Sequence, residues 1–219
     1  MYSYVEENYL KALLALTNEK GEVSTLALSQ SLNIKMPTVN SMMKKFSEKG
    51  LVHYQSYKPF KLTEKGLKEA GLILRKHRLT EIYLVEKMGF SWEEVHEIAE
   101  QLEHVHSDKF FEKMDKLLDY PKFDPHGSPI PDVDGKLEWV HYKKLSECKV
   151  GDKVLLAAVM NSSREFLKYL NSKKLTLGLE LEVIQIEEFD KSMTLKIISS
   201  NRVEVLSNLV TEKLLIKNN

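Results

Sequence analysis

The most constraining stretch of this 219-residue chain runs from Arg75 to Asp108, RKHRLTEIYLVEKMGFSWEEVHEIAEQLEHVHSD. Four of the seven histidines fall inside it, at His77, His96, His104 and His106. Glu81 follows His77 by one helical turn, and His96, Glu100, Glu103 and His104 recur at i, i+4, i+7 and i+8. At 3.6 residues per turn that spacing predicts one shared helix face. Imidazoles and carboxylates gathered on facing helices form a ligand set for divalent first-row metals. Two such faces on matched helices predict a shared metal site; the alternative is a charged helix whose histidines pack or face solvent.

The first third reads as a winged helix-turn-helix. Apolar residues at Tyr9, Leu10, Leu13, Leu14 and Leu16 predict an amphipathic helix over 2–16, stopped at Gly21. Ser24 is a good N-cap for a second helix over 25–32, with Leu26, Leu28 and Leu32 expected to face inward. Asn33-Ile34-Lys35 reads as a tight turn, and Pro37 suits the first turn of a third helix, 37–48, buried through Val39, Met42, Met43 and Phe46. Short β-prone runs at 51–54 and 60–63 then predict a hairpin wing. The third helix would enter a DNA major groove. Pro37, Thr38, Asn40 and Ser41 lie near its N-terminal end, and Lys35, Lys44, Lys45, Lys58 and Lys61 are candidate phosphate contacts.

Charge distribution agrees with that division. The net charge is zero, but Met1–Lys76 has 12 Lys/Arg against 7 Asp/Glu, and His77–Lys136 has 7 against 14. A basic module next to an acidic, histidine-bearing one suits a polyanion binder joined to a cation binder. A single cysteine, Cys148, excludes an internal disulfide and argues against a cysteine-based zinc site. With neither a signal-peptide pattern nor a membrane-length apolar run, a cytoplasmic location is expected.

The middle is expected to be helical. A long helix from Glu64 ends near Gly89, and Ser91 would cap another with Trp92, Val95, Ile98, Ala99, Leu102 and Val105 as its apolar stripe. A further helix over 107–118 would show Phe110, Phe111, Met114 and Leu117. So much apolar helix surface predicts a homodimer. Residues 124–135, rich in Pro, Gly and Asp, read as a linker. Beyond it, strands over 153–159, 179–186, 194–199 and 202–206, with a helical segment over 163–171, suggest a small β-barrel.

Behind the winged helix, "RKHRLTE", "VHEIAEQLEHVHSD" and "DPHGSPIPD" (Asp124–Asp132) resemble the diphtheria toxin repressor family of metal-dependent transcriptional repressors. The resemblance covers essentially the whole chain. It implies a mainly α fold with a small β part: a winged helix-turn-helix over 1–65, a helical metal-binding and dimerisation domain over 66–136, and an SH3-like domain over 137–219. It also implies a homodimer that binds Mn(II) or Fe(II) and then double-stranded operator DNA of metal-uptake genes. Carried over by motif, Glu100, Glu103 and His104 correspond to the primary site, with Asn8 at the helix-one position and Glu7 as the alternative. His77, Glu81 and His96 correspond to an ancillary site, to which the segment 162–165 contributes Glu165. Lys11 argues against a two-manganese arrangement. Oxygen and nitrogen donors without a cysteine favour Mn(II) over Fe(II). His106 and His126 are expected to support ligands or structure. Neither a membrane partner, an organic substrate nor enzymatic turnover is expected, since no HExxH, nucleophile elbow or phosphate loop occurs. The alternatives are a winged-helix regulator with an organic ligand and a metal-dependent hydrolase.

Overall fold

The computed structural model describes residues 2–17, 20–160 and 163–218. It divides into two compact units. The first comprises Met1–Thr80, Ala99–Lys122 and Ile130–Glu138, and the second comprises Glu81–Ile98, Phe123–Pro129 and Trp139–Asn219.

In the first unit, α1 (Tyr4–Leu16) starts at a capping box. The Ser3 hydroxyl accepts from the Glu6 amide, and the Glu6 carboxylate accepts from the Ser3 amide. Hydrogen bonding to Lys49 then holds the Glu6 carboxyl down at about 2, against the opposing effect of burial. Helix α2 (Thr25–Leu32) is capped by the Ser24 hydroxyl, which accepts from the Ala27 amide at 3.0 Å. Asn33 closes it in the left-handed region, a conformation that asparagine tolerates. Helix α3 (Met36–Glu48) carries Pro37 in its first turn.

Strands β1 (Val52–His53) and β2 (Lys61–Leu62) pair antiparallel as the wing, one residue shorter at each end than the sequence suggested. The recognition helix seats on a core that includes Tyr9, Leu10, Leu13, Leu28, Val39, Met43 and Phe46. Leu26 departs from expectation. It is 54% exposed, because an eight-residue helix turns only Leu28 fully inward.

The long helix α4 (Glu64–Met88) is continuous, as its periodicity predicts. Helix α5 (Val95–Leu102) is shorter than expected, since Ser91–Glu94 forms a turn instead. The chain leaves α5 before Glu103 and His104, so the shared helix face predicted for four ligands does not extend over these two. The Glu103 amide still reaches the Ala99 carbonyl at 2.9 Å, a last helical bond, and the Val105–His106 segment then runs non-helical. Val105 is accordingly exposed rather than part of an apolar stripe. Helix α6 (Asp108–Leu117), capped by Ser107, buries Phe111 and Met114 but leaves Phe110 and Leu117 exposed.

The Pro/Gly/Asp-rich segment is not a loose linker. Asp124 accepts from the His126 amide at 2.8 Å and the Ser128 amide at 2.9 Å, which folds it into a tight turn. Further on, the Gly135 carbonyl lies where a Cβ on Gly71 of α4 would sit, so the chain packs backbone against backbone. Glycine at both positions is what allows this approach.

The second unit holds a six-stranded antiparallel sheet. Its strands are β3 (Lys143–Lys144), β4 (Lys153–Val159), β5 (Glu180–Ile186), β6 (Met193–Ile197), β7 (Arg202–Leu206) and β8 (Leu214–Asn218), in the order β3-β8-β4-β5-β6-β7. Helix α7 (Arg164–Ser172) covers the core through Phe166, Leu167 and Leu170. Strands β3 and β8 escaped sequence reading because β3 is two residues long and β8 falls in a lysine-interrupted tail. Trp92 packs against this core and donates to Asn171 at 2.8 Å. Gly127 abuts the Ala157–Ala158 backbone. No described helix is long and apolar enough to cross a membrane.

Candidate metal centre and DNA-binding face

A polar cluster sits inside the first unit where α1, α4 and the turn after α5 meet. Glu103 is its centre and is fully buried. One carboxylate oxygen lies 2.5 Å from His77 Nδ1, and the other lies 3.5 Å from His104 Nε2. His77 Nδ1 is also 4.0 Å from Glu100, and single donor atoms of His77, Glu100 and Glu103 all lie within 4.8 Å of one another. His77, assigned by motif to an ancillary site, thus also reaches the primary one.

Helix α1 supplies the other side. Glu7 Oε2 is 2.5 Å from His104 Nδ1, and Glu7 Oε1 is 3.9 Å from His106 Nδ1. The Tyr4 ring lies 3.9 Å from the His104 ring. Among the buried side-chain atoms that have no hydrogen-bond partner within the described residues are His104 Nε2 of this cluster and, next to Glu7 in the sequence of α1, Asn8 Oδ1. Unpaired polar atoms in a dry site are unfavourable, so their survival points to a ligand. A carboxylate holding one ring nitrogen while the other stays free is the usual way a metal-binding histidine is oriented. Glu7 thus contacts His104 through one carboxylate oxygen and lies near His106 with the other. The converging donors of His77, Glu100 and Glu103, with His104 Nε2 3.5 Å from Glu103, are nitrogen and carboxylate groups of the kind that divalent first-row ions accept.

Lys11 was read only as an argument against a second ion. Its ammonium lies 2.5 Å from Glu100 and 2.7 and 2.8 Å from the two oxygens of Glu103.

In the second unit, His96 Nδ1 lies 3.3 Å from Glu81, as motif spacing implied. Sequence reasoning expected His126 to support ligands or structure and missed Asp124. His126 Nδ1 lies 3.7 Å from Glu81, and Glu81, Asp124 and His126 place donor atoms within 4.8 Å of one another, all three side chains being buried. Burial opposes a charge on His126, but the hydrogen bond and charge of Glu81, with Asp124, outweigh it and raise its pKa. His126 Nε2 faces the Trp92 carbonyl at 2.9 Å. Asp124 carried no signal beyond its turn-forming role, because its partner Glu81 is more than forty residues away. Glu165 is exposed in the first turn of α7 and belongs to no such group among the described residues; Ser162 lies outside them.

On the DNA-binding side, Lys35, Pro37, Thr38, Ser41, Lys44 and Lys45 are exposed along α3 and its approach, and Asn40 is half-buried. Lys58 and Lys61 are exposed on the wing. Lys45 also pairs with Glu6 and Lys61 with Glu22, each at 3.1 Å. Tyr57, fully exposed at the wing tip, was not singled out beforehand.

Residues 1–59 match the model of the iron dependent repressor N-terminal DNA binding domain, and residues 63–132 match its metal binding and dimerisation domain. Residues 143–217 match the FeoA domain. A manganese-dependent transcriptional repressor in complex with manganese superposes with a TM-score of 0.88 at 30% identity, covering 98% of this chain and 100% of that one. The chain belongs to the diphtheria toxin repressor family. Its further relatives include ScaR with bound zinc, at 32% identity and a TM-score of 0.78, covering 98% of this chain and 99% of that one. The iron-dependent repressor IdeR of Mycobacterium tuberculosis is 35% identical over 125 residues, 57% of this chain. That match spans 54% of the IdeR chain, so the chain spans about half the length of the curated relatives it first matches. An HTH-type transcriptional regulator of Methanocaldococcus jannaschii is 38% identical over 109 residues, 49% of this chain and 87% of that protein. The family's three-part order of DNA-binding, metal-binding and FeoA-type modules is therefore the order of this chain.

Proposed function

We propose that this protein is a metal-dependent transcriptional repressor that binds operator DNA of metal-homeostasis genes when loaded with Mn(II), with Fe(II) as the alternative ion. The observation that carries this reading is His104 Nε2, buried and without a hydrogen-bond partner, 3.5 Å from the buried carboxylate of Glu103; Asn8 Oδ1 of α1 is likewise buried and without a partner. The manganese complex of the similar repressor supports the choice of ion. So does the cysteine-free donor set.

A bound divalent ion would supply positive charge beside the buried carboxylate of Glu103 and the partly exposed one of Glu100. The protein's own contribution is mechanical. Asn8 lies one residue before Tyr9, whose ring meets Phe46 of α3 edge-on at 6.3 Å. Fixing Asn8 against Glu103 and His104 would set the position of α1 and, through Tyr9, that of the recognition helix. Metal and DNA would then favour one arrangement of the first unit, a linkage between two sites.

The domain limits proposed are 1–65 for the DNA-binding part, 66–136 for the metal-binding and dimerisation part and 137–219 for the SH3-like part. The exposed Phe110 and Leu117 of α6 support a homodimer, whose two recognition helices would address paired half-sites in the cytoplasm. An ancillary site is proposed at Glu81 and His96, extended by Asp124 and His126. His77, one turn before Glu81 on α4, stays a candidate for it, and Glu165 gains no support from its exposed position. The protein is read as a regulator without turnover.

Glu103→Ala tests the reading. The variant is expected to remain a dimer by gel filtration and to lose metal-stimulated DNA binding in mobility shifts. Unchanged metal stimulation would sink the proposal. DNA binding insensitive to chelator in the parent protein would favour an organic effector instead.

A further inference from the structure

Resting on the primary-site reading above, we infer that Lys11 is an internal counter-cation, which holds the carboxylates of that site in the metal-free protein and must vacate them for a divalent ion to bind. Its ammonium reaches three oxygens of two residues, Glu100 Oε1 at 2.5 Å and both oxygens of Glu103 at 2.7 and 2.8 Å. An ammonium has three donors, and all three are used here. The Lys11 side chain is 15% exposed and that of Glu103 is 0%, so the pair is largely withdrawn from water. An unpaired carboxylate would be strongly unfavourable there, and a nearby positive charge removes that penalty.

Ammonium and divalent ion claim the same lone pairs, so they exclude each other. His77 and His104 are not displaced in this exchange. Each keeps a contact that does not involve Lys11: His77 Nδ1 lies 2.5 Å from Glu103, and His104 is held by Glu7. The consequence for α1 is an exchange of tethers. Without metal the helix is fastened to the turn after α5 through Lys11; with metal it would be fastened through Asn8, three residues earlier. Lys11 therefore sets the metal concentration at which the switch occurs, because every ion bound must first break a charge-assisted pair.

The test compares the full-length protein with Lys11→Gln and Lys11→Met, and uses Glu103→Ala as a control. Mn(II) affinity and stoichiometry are measured by equilibrium dialysis, and thermal unfolding is followed in chelator. Both Lys11 variants are expected to bind Mn(II) about tenfold more tightly at unchanged stoichiometry, and to melt at lower temperature without metal. Equal or weaker affinity at unchanged stoichiometry would overturn the role of Lys11 and leave the metal site standing. Full Mn(II) stoichiometry in Glu103→Ala would instead overturn the site itself. Should the Lys11 variants fail to fold, lysine labelling of the unmutated protein decides: reductive methylation at Lys11, read by mass spectrometry, is expected to rise with Mn(II), and an unchanged or lowered yield would refute the exchange.

Discussion

Glu103 makes the residue-scale logic plain. A carboxylate with no solvent exposure needs cations or donors around it, and Glu103 has Lys11 and His77, with the unpaired His104 Nε2 3.5 Å away. The backbone around it tolerates equally little change. A Cβ on Gly71 would lie 1.8 Å from the Gly135 carbonyl oxygen, with no flexible side chain to yield. Gly71→Ala is thus expected to destabilise the protein by about 1–3 kcal/mol in denaturant unfolding, despite alanine's better helix propensity. A neutral or stabilising effect would show that the 130–138 segment moves away at little cost. Glu103, His104, His77 and Glu81 were legible as candidate donors from residue type, but the helical spacing that grouped Glu103 and His104 with His96 ends at Leu102. The bond between Glu7 and His104 and the Glu81–Asp124–His126 group were not legible. Each joins residues more than forty positions apart, and nothing in local sequence encodes such a distance.

At the scale of elements, caps and breakers carried most of the reading. Ser24, Asn33, Pro37 and Gly50 delimit α2 and α3 because each offers the backbone something a neighbour cannot, a hydroxyl acceptor, a tolerated left-handed turn or a preset φ. Periodicity failed where a helix was short. Over the eight residues of α2 it placed Leu26 inside, and beyond Leu102 it extended α5 over Glu103 and His104. The exposed face of α3 leads to a prediction of its own. Lys44 is exposed there and suits a phosphate contact rather than a base contact. Lys44→Ala is expected to weaken binding to all DNA sequences alike and to reduce the slope of log affinity against log salt by about 1. Loss confined to one operator, with the slope unchanged, would mark Lys44 as a base reader.

For the whole molecule, the basic first third and the acidic, histidine-bearing middle of the sequence do not separate into the two units: the first unit holds both the winged helix and the Glu103 cluster. The order of three modules was legible because each has its own period: helical with turn punctuation first, long helices next, alternating strands last. What escaped was the fate of the 124–135 segment. Its composition is that of a linker, yet its glycines and aspartates are used for close backbone packing and for capping amides. The central claim is that metal occupancy controls DNA binding. Its most direct test is a titration of the metal-free protein with Mn(II) and, anaerobically, Fe(II), following the retention of genomic DNA fragments by mobility shift. Selective retention of a few fragments that grows with Mn(II) and is reversed by chelator is expected. Retention that ignores both metal and chelator would contradict the claim and leave the histidine–carboxylate clusters as structure.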